Sequence, residues 1–209
     1  MALGGRPMVE WSLEAFVAAE SVGPVIVAVP PGSDGELAGA GVVAVAGGAT
    51  RSESVAAALE RVDTELVAVH DAARPLITPT LVDELVGTLA GRPDVAAVIA
   101  AAPLTDTVKR AREPRDARGD VARGGPTVAK TESRDHLWAA QTPQVFRAAA
   151  LREALAADPQ RVRGATDDAM LVEAIGGKVL MYPAPPENLK VTTPTDLRIA
   201  ELLLSDRVR

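Results

Sequence analysis

The chain has 209 residues, 47% of them hydrophobic and 24% charged, with a formal net charge of −6 at pH 7. This length and apolar content predict one domain with a substantial core and exclude a wholly disordered protein. With no cysteine and two histidines, disulfides, a thiol nucleophile and cysteine-based or histidine-rich metal centres are excluded. The sequence shows neither the ~18 apolar residues of a membrane span nor a signal peptide, so we expect a cytoplasmic protein without a membrane partner.

Apolar runs and helical patterns alternate along the chain. In chain order the predicted elements are a helix at 7–17, strands at 24–29 and 41–45, a helix at 52–62, a strand at 66–69, a helix at 79–89, a strand at 95–100, helices at 147–157 and from 166, strands at 178–182 and 189–192, and a helix at 195–204. The alternation predicts an α/β fold whose mostly parallel sheet is covered by helices on both faces. Ligands of such folds bind beyond the carboxyl ends of the strands.

A basic segment interrupts this alternation. Residues 108–136 contain eight basic and five acidic side chains, so they carry +3 and the rest of the chain carries −9. A basic segment on an acidic body favours a small anionic ligand over a nucleic acid. The alternative is a solvated loop rich in arginine and glycine.

Two strand ends carry candidate binding residues. Gly48 follows the strand at 41–45 and precedes a helix start rich in serine and arginine, where free N–H groups could hold a base or a phosphate; the alternative is a tight turn. Asp71 and Arg74 follow the strand at 66–69. Asp71 could accept sugar hydroxyls or bind Mg²⁺ and Arg74 could bind phosphate, or the two could simply pair and fix the turn.

The other polar candidates suit the binding of phosphates. Lys190 falls inside a short apolar strand, where it needs an anion such as phosphate, unless it only protects a strand edge. Thr166 is most simply a helix N-cap, and His70 a packed, hydrogen-bonded histidine. Further candidates are Thr107, Arg134 and Thr142. Without a Ser-His-Asp arrangement, catalysis by positioning and charge stabilisation is the expected mode.

Seven segments together resemble one family, the 2-C-methyl-D-erythritol 4-phosphate cytidylyltransferases. The matching residues are 5–7, 47–55, 69–75, 106–109, 141–144, 166–168 and 188–192. The resemblance implies a single Rossmann-like domain of the nucleotidyltransferase type over residues 1–209. It also implies that residues 106–136 form a protruding β-arm, which crosses to a second subunit in a homodimer.

The resemblance further implies a reaction, a metal and site residues. Cytidylyl transfer from CTP to the sugar-alcohol phosphate would release pyrophosphate, with Mg²⁺ held mainly by the CTP phosphates and no protein side chain as a metal ligand. Lys190 and Arg134 would be catalytic. The substrate-binding residues would be Asp71, Arg74, Thr107, Thr142 and Thr166. The cytidine pocket would be lined by Gly48, Ala49, Ser54 and Ala72.

The start of the chain departs from the family pattern. The family places a strand, a glycine-rich phosphate loop with an arginine, and a Pro-Lys pair ahead of the first helix, whereas no strand is predicted before the helix at 7–17. Roughly two dozen residues, a strand plus a loop by ordinary element lengths, are therefore expected to be missing. We expect weak CTP binding, little activity and exposed sheet edges from this chain. The alternatives are a pentitol-phosphate cytidylyltransferase and a non-catalytic dimerisation remnant.

Overall fold

Strands and helices alternate through residues 1–33, 41–112 and 126–207, the parts of the chain that the computed structural model describes. The strands are β1 (Ala2–Leu3), β2 (Arg6–Pro7), β3 (Val25–Val29), β4 (Val42–Ala46), β5 (Leu66–Val69), β6 (Ala97–Pro103), β7 (Lys109–Arg112), β8 (Thr127–Thr131), β9 (Trp138–Arg147) and β10 (Val179–Pro183). The helices are α1 (Met8–Ala18), α2 (Arg51–Leu59), α3 (Pro79–Ala90), α4 (Ala148–Ala157), α5 (Pro159–Gly164), α6 (Ala169–Ala174) and α7 (Pro194–Arg207).

A four-stranded sheet in the order β10-β6-β9-β5 forms the centre of the fold. β10 pairs with β6 in parallel, whereas β9 is antiparallel to both β6 and β5. Three of the four strands therefore run in one direction, which agrees with the predicted mostly parallel sheet.

Helices cover both faces of this sheet, so the predicted three-layer arrangement is confirmed. On one face Val98 and Ala100 of β6 pack with Phe16 of α1 and Leu85 of α3. Side chains alternate across a strand. Accordingly Ile99 lies on the opposite face, in a second core that includes residues of α2, α4 and α6.

A second sheet contains only β3 and β4, which pair in parallel. Within the described residues β3 pairs with no other strand and β5 pairs only with β9, so each has one unpaired edge. Residues 25–28 of β3 and 66–69 of β5 line a cavity of about 490 Å³. We call this cavity the slot. Its other walls are largely apolar and include Phe16 and Val55.

Local sequence signals account for several helix starts. Thr78 caps α3 by accepting a hydrogen bond from the N–H of Leu81, and Pro79 occupies the first turn, as predicted. Thr50 and Glu53 form a reciprocal capping box at the start of α2. This cap fixes the first residue of α2, Arg51, which lies in the candidate site.

Two of the local predictions about strands are wrong. A short hairpin of β1 and β2 precedes α1, where no strand was expected; Gly4 and Gly5 have positive φ and form its turn. Residues 189–192 are not a strand, because their backbone N–H groups bond to residues outside any strand. The N–H of Val191 donates to Ala73 O and that of Thr192 donates to the Asp196 carboxylate.

The predicted arm is described only in part. β7 and β8 pair in antiparallel fashion as a separate two-stranded sheet, and all their residues are exposed. Residues 113–125, the centre of the predicted arm, lie outside the described parts. Among the described helices the longest has 14 residues, and none has the length and hydrophobicity to cross a bilayer.

Candidate active site

Asp71, which follows β5, is the centre of a charged network. Its Oδ1 accepts a hydrogen bond from Nε of Arg51 at 3.0 Å, and its Oδ2 accepts one from Nζ of Lys190 at 2.8 Å. The carboxylate is only 17% exposed, so both contacts act in a partly desolvated environment. Burial opposes ionisation of Asp71, but Lys190 and Arg51 outweigh it and hold the pKa of this carboxyl below its usual value.

Arg51 links Asp71 to a second carboxylate. Its Nη1 donates to Oδ2 of Asp168 at 2.8 Å, and the Asp168 side chain is fully buried. Burial raises the pKa of Asp168 despite the nearby guanidinium. The four side chains of Asp168, Arg51, Asp71 and Lys190 thus alternate in charge along one chain of contacts, which we call the ionic chain.

The turn after β5 is fixed by backbone and side-chain bonds. The N–H of Arg74 donates to Asp71 O at 2.9 Å, and its Nη1 donates to the backbone O of Asn188 at 2.7 Å. Burial lowers the pKa of the Arg74 guanidinium. Within the described residues its Nε is buried without a hydrogen-bond partner.

His70 holds the same turn from beneath. Its Nε2 lies 3.1 Å from Arg74 O, so this nitrogen carries the proton, and its Nδ1 accepts from the Thr142 hydroxyl at 3.1 Å. The Thr142 oxygen in turn accepts the N–H of Asp71 at 3.0 Å. Burial lowers the pKa of His70 to about 4, so the ring is neutral at pH 7.

The neutral His70 is expected to make the fold sensitive to acid. The pKa of His70, about 4, lies below the unfolded value of 6.5. The contribution of the neutral ring to the free energy of unfolding is therefore complete above pH 6.5 and declines as the pH falls toward 4. The free energy of unfolding should drop by about 3 kcal/mol over this interval from His70 alone.

The measurement is urea unfolding between pH 7 and 4.5. His70→Gln should flatten the pH profile, while the control His136→Gln, which changes an exposed histidine, should leave it as in the parent. If the pH profile of the His70→Gln variant had the same slope as that of the parent, the assignment would be contradicted.

A small polar pocket brings five of the predicted residues together. It has a volume of about 210 Å³ and its lining includes Asp71, Arg74, Lys190, Thr142 and Thr166. Thr166 is not the expected N-cap, because Asp168 occupies that position ahead of α6. Its hydroxyl is exposed on the pocket wall, 4.0 Å from Sδ of Met170.

The predicted cytidine residues lie at the slot and at the start of α2. Ser54 and Ala72 line the slot together with Arg51, which also lines the polar pocket. Ser54 Oγ accepts the N–H of Gly48 at 3.1 Å, and any side chain at position 48 would collide with Glu53. Ala49, like Gly48, is exposed beside this helix start.

The two predicted site residues of the arm lie outside both cavities. Thr107 precedes β7 and is exposed, and Arg134 follows β8, where its guanidinium donates to Thr105 O. Neither lines the slot or the polar pocket. The structure of one chain therefore does not bring these two residues to Asp71.

Two buried polar residues that support the site were not predicted as site residues. Asn188 is buried and its Nδ2 donates to Oε1 of Gln141 at 2.8 Å, which ties the Lys190 segment to β9. Gln144 accepts the N–H of Ala169 at 3.2 Å and so ties α6 to the same strand. Their only sequence signal is a place in the segments that carry the resemblance.

The described residues contain no group of three side chains that could hold a metal ion. Both carboxylates that line the polar pocket are already engaged: Asp71 binds Arg51 and Lys190, and Asp167 accepts hydrogen bonds from Gln144 Nε2 and from the N–H of Met170. A Mg²⁺ ion would therefore fit this pocket only if the ligand's phosphates supplied most of its oxygen ligands.

Comparisons with known proteins agree on one family. The family model described as 2-C-methyl-D-erythritol 4-phosphate cytidylyltransferase matches residues 1–206. A bifunctional enzyme IspD/IspF of Anaeromyxobacter dehalogenans is 42% identical over 98% of this chain and 52% of its own length. The chain thus spans about half the length of this relative. A 2-C-methyl-D-erythritol 4-phosphate cytidylyltransferase of Frankia casuarinae is 45% identical over 98% of this chain and 73% of its own.

Solved structures lead to the same family. The crystal structure of 2-C-methyl-D-erythritol 4-phosphate cytidylyltransferase from Thermus thermophilus superposes with a TM-score of 0.79 at 35% identity, and covers 98% of this chain and 91% of that one. Together with the model match over 1–206, this shows that the chain belongs to the 2-C-methyl-D-erythritol 4-phosphate cytidylyltransferase family.

Proposed function

We propose that this chain transfers the cytidylyl group of CTP to 2-C-methyl-D-erythritol 4-phosphate in the non-mevalonate route to isoprenoids. The observation that carries the proposal is the polar pocket, which is lined by the cations of Arg51, Arg74 and Lys190 together with the carboxylates of Asp71 and Asp167. Cations suit phosphate groups and a carboxylate suits sugar hydroxyls. This chemistry matches a sugar-alcohol phosphate.

In the proposed reaction an oxygen of the 4-phosphate attacks the α-phosphorus of CTP. The new P–O bond forms as the bond from the α-phosphorus to the bridging oxygen breaks, and pyrophosphate leaves with that electron pair. Lys190 would bind the attacking phosphate, and Asp71 would bind the hydroxyl groups. Arg74 and Thr166 would bind the remaining oxygens of the sugar phosphate. Such a site works by positioning and by stabilising charge in the transition state.

The cytidine is proposed to bind beside the start of α2, at Gly48, Ala49, Ser54 and Ala72. Mg²⁺, held mainly by the CTP phosphates, would neutralise part of the triphosphate charge. We place the reaction in the cytoplasm, because neither multiply charged substrate crosses a membrane unaided.

The direct test measures pyrophosphate release from CTP with each candidate acceptor. Methylerythritol phosphate should support turnover and ribitol 5-phosphate should not. The reverse preference would favour the pentitol-phosphate enzyme. Absence of both CTP turnover and a CTP-dependent thermal shift, in this chain and in one extended ahead of Met1, would favour a dimerisation remnant.

We further propose a homodimer in which residues 106–136 contribute Thr107 and Arg134 to the partner's site. The exposure of the whole β7–β8 pair supports this, since Val128 leaves 63% of its surface uncovered. An arm that crosses between subunits would also explain why Arg134 does not line its own chain's pocket.

Mixing two inactive variants tests the arm exchange. Lys190→Ala and Arg134→Ala chains, mixed and allowed to reassociate, should regain about a quarter of the parent activity, because half of the dimers are mixed and each has one intact site. If Arg134 served its own chain's site, every site in the mixture would carry a lesion and activity would stay at the level of the single variants.

Finally, we propose that the complete domain contains one more β-strand, which fills the slot and is supplied by residues encoded ahead of Met1. Support comes from the slot itself: β3 and β5 each present an unpaired edge to one apolar cavity within the described parts of the chain. Unpaired edges with apolar surroundings are unfavourable in water. A strand bonded on both sides would join the two sheets into one.

A further inference from the structure

We propose that Arg51 and Asp168 are positioning residues: Arg51, anchored by the buried carboxylate of Asp168, holds Asp71 in place when Lys190 turns to an anionic ligand. The effect on turnover rests on the proposed function. The positioning itself rests only on contacts within this chain.

Four separate parts of the fold meet in the ionic chain. Arg51 is the first residue of α2, Asp168 directly precedes α6, Asp71 follows β5, and Lys190 lies between β10 and α7. The side-chain contacts between them run over 20, 117 and 119 residues of sequence. Local backbone structure alone would not hold these groups together, so the contacts define the geometry of the site.

Arg51 bonds each carboxylate through a different nitrogen. Nε binds Asp71 and Nη1 binds Asp168, at 3.0 and 2.8 Å. A planar guanidinium presents these donors in a fixed relation, whereas a lysine ammonium is a single point charge on a flexible stem. The position therefore requires arginine if both carboxylates are to be fixed at once.

Asp168 anchors this arrangement from behind the pocket. Arg51, Asp71 and Lys190 line the polar pocket but Asp168 does not. It is fully buried, and among the described residues its Oδ1 has no hydrogen-bond partner. A buried carboxylate with one partner is weak support for stability. Its benefit is to restrain the guanidinium that faces Asp71.

The charge balance of the ionic chain explains what the restraint achieves. Before a ligand binds, Asp71 is neutralised by Arg51 and Lys190. When a phosphate draws Lys190 away, Arg51 remains as the partner of Asp71 and keeps its carboxylate ionised and in place. Asp71 can then accept hydrogen bonds from the hydroxyl groups of the same ligand without rotating into the phosphate.

The test compares three variants and a control with the parent. Arg51→Met alone leaves Asp168 as a buried, unpaired charge and is expected to destabilise the chain through that effect; the double variant Arg51→Met/Asp168→Asn removes both charges and keeps the side-chain volumes. Arg51→Lys tests the need for two nitrogens. Arg92→Met removes a matched surface pair with Asp94 and serves as the control.

The first readout needs no activity. NMR titration of the ¹³C-labelled Asp71 carboxyl in residues 1–209 should show its pKa rising toward the ordinary value of 3.8 in the double variant. Arg92→Met should leave it as in the parent. An unchanged Asp71 titration in a folded double variant would overturn the positioning role, whether or not the chain turns over CTP.

The second readout separates the two substrates. The double variant should raise KM for the sugar phosphate ~10-fold and lower kcat ~10-fold, with KM for CTP within about two-fold, and Arg51→Lys should recover part of the loss. Equal losses for both substrates, or full recovery by lysine, would overturn the inference. If the parent releases no pyrophosphate even when it is extended ahead of Met1, the proposed function fails while the titration still decides the role of Arg51.

Discussion

A chain extended ahead of Met1 by a β-strand and a glycine-rich loop should release pyrophosphate at least ~100-fold faster than residues 1–209. It should also unfold at a higher urea concentration, with a gain on the order of 5 kcal/mol in the free energy of unfolding. That gain corresponds to a few buried valine or isoleucine side chains, reduced by the entropy of ordering the strand.

The gain in rate has an electrostatic reason. Of the cations that line the polar pocket, Arg51 and Lys190 already bind Asp71, and Arg74 binds Asn188 O. Little unengaged positive charge is left for a triphosphate. A glycine-rich loop adds backbone N–H groups, and the arginine and lysine expected from the family pattern add two further charges.

The control is the same extension with a proline at the centre of the added strand. Proline has no N–H to donate to a neighbouring strand, so it should abolish the gain in stability. Equal turnover by the extended chain and residues 1–209 would contradict the proposal, as would equal urea midpoints.

Most of the fold follows from local signals in the sequence, and the errors have physical causes. α3 is predictable from Thr78 and Pro79, and β6 from its run of small apolar residues. Residues 189–192 have the alternation of a strand, but Val191 donates its N–H to Ala73 O instead of to a sheet. Which backbone groups pair over such distances is decided by tertiary contacts, which local propensity does not record.

The site was predictable in its types of residue and less so in its connections. Asp71 and Arg74 stand out as polar groups after an apolar run and Lys190 as a cation inside one, and the three meet in one pocket. Asp168 is harder to interpret, because an aspartate before a helix usually caps it. Here the side chain makes no cap bond and instead binds Arg51 at 2.8 Å, a contact between residues far apart in the chain.

Lys190→Met should lower kcat/KM for the sugar phosphate ~100- to 1,000-fold in the chain that turns over CTP. The lysine ammonium is the cation whose stem is free to move: it is 44% exposed and its bond in the described structure is to Oδ2 of Asp71, at 2.8 Å. When a phosphate replaces this carboxylate as the partner of Lys190, the ammonium places a compact positive charge beside the attacking oxygen. Methionine has a similar stem and no charge, so it removes that interaction with little change in packing.

Lys178→Met is the matched control, since Lys178 is a surface lysine bonded to Asp94 at 2.7 Å and outside both cavities. It should change kcat/KM by less than about two-fold, as expected for an exposed ion pair. Lys190→Arg should recover only part of the activity, because the larger planar guanidinium does not reproduce a point charge. If Lys190→Met and Lys178→Met had equal effects, Lys190 would have no role beyond its ion pair with Asp71. A loss confined to KM for CTP would instead move Lys190 from the sugar-phosphate side of the site to the nucleotide side.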